Sequence, residues 1–106
     1  RTTAEIIDLA VRSAMARARE IRAFSVAFPA MGTGVGGFPL DEAARVTVRA
    51  VREELPASPM IEHVIFAMRG AAAYQAFEAA LAAAAEDEAA PSAPARADKS
   101  RGSARR

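Results

Sequence analysis

Residues 24–39 read FSVAFPAMGTGVGGFP, and this order constrains the fold more than any other stretch of the chain. An apolar run is followed by Gly32, Gly34, Gly36 and Gly37 within six residues, and then by Pro39, placed to open a helix. A strand that hands a glycine-rich loop to a helix N-terminus aims loop amides and the positive end of the helix dipole at one point, which makes an anion site. The fold around such a unit is α/β.

The flanking pattern agrees. Thr2 and Glu5 have the spacing of a T-x-x-E capping box, and Ile6, Leu9, Ala10, Ala14, Ala18 and Ile21 recur at helical spacing, which predicts a helix over 3–21. Phe24 to Phe28 is apolar on both faces, as in a strand covered by helices on both sides. After the loop, Leu40, Ala43, Ala44, Val48, Val51 and Leu55 give a second amphipathic helix, stopped by Pro56 and Pro59. Ile61 to Met68 is a second buried-type strand, parallel to the first because a helix crosses between them. Gly70 then leads into a third helix with Tyr74, Phe77, Leu81 and Ala84 on one face.

From Glu86 onward the chain has no large apolar side chain and mixes Pro, Ser, Gly and charge, so 86–106 is expected to be a disordered basic tail after a folded unit over 1–85. The predicted order is therefore helix, strand, helix, strand, helix, tail. Two parallel strands make an unusually thin sheet, and their free edges call for neighbours. Together with an opening at Arg1 that runs almost directly into a helix, this leads to the expectation of a fragment: half of a larger sheet.

Charge narrows the partners. Residues 1–95 carry nine Arg against twelve Asp and Glu, a net of −3, while 96–106 carry five basic residues against Asp98, a net of +4. The body is thus no basic platform for nucleic acid. No run of 18 uncharged apolar residues and no signal-peptide pattern occurs, so no membrane partner is expected and a cytoplasmic location is. Without cysteine, disulfides and thiolate sites are excluded. His63 alone, beside Glu62, falls short of a metal ligand set, no serine is paired with a His and an acid at readable spacing, and no cofactor is expected.

Gly32-Thr33-Gly34-Val35-Gly36-Gly37 can bring successive N–H groups close to an oxygen-rich ligand, because absence of Cβ permits close approach and positive φ. The loop has no Lys or Arg, so recognition would come from amides, Thr33 and the helix dipole, with Asp41 and Glu42 slightly opposing an anion. Gly32, Gly34 and Gly37 also match G-x-G-x-x-G, leaving Rossmann-type dinucleotide binding as an alternative. That alternative wants an acidic residue at the end of the next strand; Glu53 and Glu54 have the distance but fall on the crossover helix.

The run SVAFPAMGTGVGGFPLDEAARV, Ser25 to Val46, resembles the second ligand loop of macro domains, the ADP-ribose-binding α/β modules. The preceding TTAEIIDLAVRSAMARA and the following IEHVIFAM and AYQAFEAAL are similar to the closing helix–strand–helix of that fold, so the resemblance covers residues 1–85 and the second half of a macro-domain three-layer sheet. It implies that Gly32, Thr33, Gly34, Val35, Gly36 and Gly37 wrap the diphosphate and distal ribose of ADP-ribose, with Val35 packed on the ligand and Phe38 a further ligand-binding residue. Gly36 stands where many members have an aromatic beside the distal ribose. Arg69 stands where many have one under adenine, and can stack there as a cation.

The adenine-reading aspartate and the asparagine and glycine-rich first loop of hydrolytic members precede the part resembled here, and nothing in 1–23 replaces them. ADP-ribosyl hydrolysis is therefore expected of this sequence only together with such a loop. The implied partner is ADP-ribose or an ADP-ribosylated molecule. A different class of reading is an interaction fragment that pairs through open sheet edges with another chain or a copy of itself.

Overall fold

A computed structural model of the chain describes residues 2–32 and 37–89. The elements are α1 (Ala4–Glu20), β1 (Ser25–Phe28), α2 (Leu40–Glu54) with a 3-10 turn at Leu55–Ala57, β2 (His63–Phe66) and α3 (Ala71–Ala89). The α/β order read from the sequence is the order observed. Residues 86–89, which composition assigns to the tail, continue α3: alanine and glutamate sustain a helix without supplying anything to bury.

The strands pair in parallel, Ser25 beside His63, Val26 beside Val64, Ala27 beside Ile65 and Phe28 beside Phe66. The ladder extends past both ends, with Glu62 N donating to Phe24 O at 2.7 Å and Ala67 N to Phe28 O at 2.8 Å. Alternation then divides the ribbon into two faces. Val26, Phe28, Val64 and Phe66 pack against the helices, whereas Ser25, Ala27, His63 and Ile65 are exposed. The expectation of helices on both sides is thus not met among the described residues: α1, α2 and α3 all lie on the Phe28–Phe66 face.

The core has two lobes joined across α2. In one, Ile7, Val11, Met15 and Ala18 of α1 meet Phe28, Ala43, Val46, Ala50, Val51 and Ile61. In the other, Ala44 and Val48 meet Ala76, Phe77 and Ala80 of α3. Phe66 bridges them, with its ring centroid 6.2 Å from Phe28 and 5.5 Å from Phe77.

Three local readings are corrected. Thr3, not Thr2, caps α1, its Oγ1 accepting from Ile6 N at 3.2 Å, so no Thr2–Glu5 box forms. The buried stripe of α1 is Ile7, Val11, Met15 and Ala18, while Ile6, Leu9 and Ile21 are exposed. Because α1 is apolar on more than one stripe, contact with α2 and β1 selects which is buried. In α3, Ala73, Ala76, Phe77 and Ala80 are buried and Tyr74 and Leu81 are not; the close approach of α2 favours small side chains at that contact.

A charged seam closes the far end of the helix layer. Arg12 reaches Asp8 at 2.9 Å, Glu53 at 2.6 Å and Glu54 at 3.2 Å, and Arg19 reaches Glu54 and the buried Ser58 Oγ at 3.1 Å each. The hydrogen bond to Asp8, followed by that to Glu53, holds the Arg12 guanidinium still more firmly in its charged form.

One buried group is unsatisfied. Thr47, in the middle of α2, is fully buried, and its hydroxyl has no hydrogen-bond partner among the described residues. Thr47→Val keeps the shape and removes the desolvated hydroxyl, worth about 1 kcal/mol. The thermal midpoint is expected to rise by roughly 4–8 °C, the shift that such an energy produces in a domain of this size. A midpoint that falls instead would show the hydroxyl to be hydrogen-bonded in the folded chain.

Candidate functional site

The glycine loop leaves β1 at its C-terminal end, where the parallel topology also places the end of β2 and the start of three helices. α2 and α3 each follow a strand directly, and α1 runs antiparallel to the strand that it precedes, so all three N-termini face the same end. Contact between the start of α1 and the loop bears this out: a Cβ on Gly32 would come within 2.6 Å of Thr2 Cγ2 and 3.1 Å of Ile7 Cδ1. In open parallel α/β sheets this end, where loops leave the strands, is where ligands bind.

The loop is pinned at its mouth. Phe38 N donates to Gly32 O at 3.0 Å, closing a ring from Gly32 to Phe38, and the Phe38 side chain packs on the lobe containing Ile7 and Phe28. Gly32 and Gly37 both have left-handed backbones, at φ +80° and +69°, for different reasons. At Gly32 a side chain has neither the φ nor the room; at Gly37 nothing lies within 4 Å of a Cβ, so only the φ demands glycine.

Of the eight residues singled out from sequence, Gly32, Gly37, Phe38 and Arg69 are described, whereas Thr33, Gly34, Val35 and Gly36 lie outside the described residues. Gly32 and Phe38 are joined directly. Arg69 is exposed, three residues past the end of β2 and two before α3, at the same end of the ribbon as the loop. The loop's seat against Thr2 and Ile7 is invisible to sequence reasoning, since no local pattern announces a contact across thirty residues.

Electrostatics at this end come from the helix starts. Pro39 leads into α2 without a side-chain cap, so the first amides of α2 are not covered by a capping side chain. Asp41 and Glu42 occupy that first turn, with Glu42 taken up by Arg45 at 2.6 Å. α3 has no acidic residue in its first turn. The arrangement can offer N–H donors and positive dipole ends to an oxyanion.

Glu53 and Glu54, the acids that a Rossmann reading would need, sit at the opposite end of α2, roughly 20 Å along its axis, and are engaged by Arg12 and Arg19. Among the described residues, no group of three or more His, Cys, Asp or Glu could hold a metal ion, and no helix is long and apolar enough to cross a membrane.

Residues 1–47, which span α1, β1, the glycine loop and the start of α2, match the family model described as Macro domain. An uncharacterized protein of Mycobacterium tuberculosis is 49% identical over 82 residues, 77% of this chain and 22% of that protein. Macro domain-containing proteins of Streptomyces griseus and Chlorobaculum tepidum are 44% identical over 71 residues and 34% over 80, covering 67% and 76% of this chain and 39% and 46% of theirs. The chain thus spans about a fifth of the length of the mycobacterial relative and under half of the other two. Over residues 1–47 the chain is thus similar to the macro domain family, and macro domain-containing proteins are among the relatives that it resembles.

Proposed function

We propose that this chain supplies the diphosphate-binding loop of an ADP-ribose site and represents the second half of a macro domain. The observation that carries the reading is the loop from Gly32 to Phe38, closed by its own backbone hydrogen bond at the end of the ribbon where three helices begin. Gly32, Thr33, Gly34, Val35, Gly36 and Gly37 wrap the diphosphate and distal ribose through backbone amides, with Val35 against the ligand and Phe38 anchoring the loop to the core. Arg69 stacks on the adenine. The ligand is free ADP-ribose or an ADP-ribosyl group on another molecule. Hydrolysis is no part of the proposal for this chain alone; it would need catalytic groups supplied by an upstream loop.

Calorimetric titration of ADP-ribose into the purified chain, with AMP and NAD as comparison ligands, tests the reading. Saturable binding that Gly34→Glu abolishes is the expected result; equal heats for the variant would remove the loop from the site. Asp41→Asn takes a negative charge from the first turn of α2 and is expected to tighten binding by about two- to five-fold at low ionic strength. The gain should shrink with added salt. A salt-independent change, or none, would place the diphosphate away from that helix start.

A further inference from the structure

The end of the ribbon away from the glycine loop carries an exposed aromatic, Phe24. Two turns meet there, one from Ile21 to Phe24 between α1 and β1, the other from Ser58 to Glu62 ahead of β2. They are held together by Glu62 N donating to Phe24 O at 2.7 Å and by Arg19 Nη1 donating to Ser58 Oγ at 3.1 Å. Across them Ile21 is 58% exposed, Phe24 62% and Met60 37%, with Pro59 exposed beside Met60. Single apolar side chains are ordinary on a surface, whereas a contiguous group rimmed by charge marks a contact site. The rim here is Arg22 on the first turn and Glu62 on the second, both exposed. Among the described residues, the salt bridges nearest them, Arg17 to Glu20 and Arg19 to Glu54, leave both out.

The backbone at Arg22 is strained. Ala23 N donates to Ala18 O and Arg22 N to Arg19 O, the pair of bonds that ends a helix on a left-handed residue, and Arg22 is that residue, at φ +60°. Glycine is the usual occupant, because a Cβ is crowded there. Arg22 is the one non-glycine residue with positive φ among the described residues. Its side chain makes no salt bridge among them that would offset the strain, which points to a use outside the chain.

We propose that this end is the contact surface between two copies of the chain, joined about a two-fold axis that packs Phe24 and Met60 of one copy on those of the other and sets Arg22 of each against Glu62 of its mate. The occupant is identified by charge. A patch with an apolar centre, a cation on one turn and an anion on the other is complementary to itself after half a turn, and the axis makes the charge pair twice. A purely acidic or purely basic partner would pair one of these charges and press the other against its like. The patch is far smaller than the roughly 20–30 residues a side of a standard interface, so the dimer is weak and reversible, with a Kd on the order of tens of micromolar. End-to-end pairing leaves the two glycine loops uncovered at the outer poles, so a molecule carrying two oxyanionic groups would be held at both. The inference uses the turns and not the strand edges, and it holds whether or not ADP-ribose is the ligand.

Sedimentation velocity on the purified chain, from low micromolar to millimolar concentration, tests the proposal. A reversible monomer–dimer equilibrium is expected. Phe24→Ser should weaken it about ten-fold or more, as loss of a central aromatic anchor does. Arg22→Glu and Glu62→Arg should each weaken it by a similar factor. Combined in one chain, the two should recover most of the loss, because each reversed charge again faces its opposite across the axis. Arg22→Gly should raise the thermal midpoint of the dilute chain and still weaken the dimer, which separates the backbone strain from what the side chain does. A chain that stays monomeric throughout overturns the proposal. So does a dimer indifferent to Phe24→Ser, the behaviour of pairing through strand edges. A combined charge reversal as weak as either single variant also overturns it, because the charges would then not meet across a two-fold axis.

Discussion

Phe77→Ala is expected to cost about 3–5 kcal/mol, the range for removing a large aromatic from a packed interior. Phe77 is 2% exposed and ends the ring series Phe28–Phe66–Phe77 that joins the ribbon to α3. Elsewhere the contact between α2 and α3 is built largely from alanines, which bury little area, so no other side chain of α3 compensates. Domains of this size have only about 5–10 kcal/mol in hand, and this one leaves a sheet face and two apolar flanks uncovered. Denaturant unfolding should therefore show the variant losing half or more of its stability, with α3 released first in hydrogen exchange. A loss under about 1 kcal/mol would mean that α3 is not packed on the ribbon as described.

The second large effect falls on the loop. Gly32→Ala is expected to destabilise the chain by more than Gly37→Ala, although both glycines have positive φ. An alanine forced into that region costs about 1–2 kcal/mol at either position. Only at Gly32 does the added methyl also meet Thr2 Cγ2 and Ile7 Cδ1. The difference between the two variants measures the seat of the loop against α1, and Thr2→Ala combined with Gly32→Ala should recover part of it. Equal losses, with no recovery, would show that α1 does not abut the loop. Because the contact fixes one end of the closed loop, Gly32→Ala should weaken ADP-ribose more than it weakens the fold.

Much of this architecture was legible from residue order. The run SVAF ending at Pro29, the glycine cluster and the helical spacing after Pro39 led to a parallel strand pair, because a helix between two apolar runs leaves few other topologies. Which stripe of each helix is buried was not legible. α1 offers Ile6 and Leu9 as well as Ile7 and Val11, and α3 offers Tyr74 and Leu81 as well as the alanines, so periodicity alone could not choose. Among the described residues, coverage of the ribbon on one face only is not legible for the same reason: Ala27 and Ile65 are apolar, as residues meant to be buried are. The glycines as a cluster could be read directly, but the distinct demand at Gly32 depends on Thr2 and Ile7 and exists only in three dimensions.

The central claim is that the loop from Gly32 to Phe38 holds a diphosphate through its backbone. It is tested most directly by titrating ADP-ribose into the isotopically labelled chain and following each amide by NMR. The account predicts saturable shifts concentrated at Gly32, Gly37, Phe38 and the first-turn amides of α2, with Arg69 following and the Arg12–Glu54 end of the molecule silent. Shifts centred on that far end, or a folded chain whose loop amides remain unmoved at millimolar ADP-ribose, would contradict it.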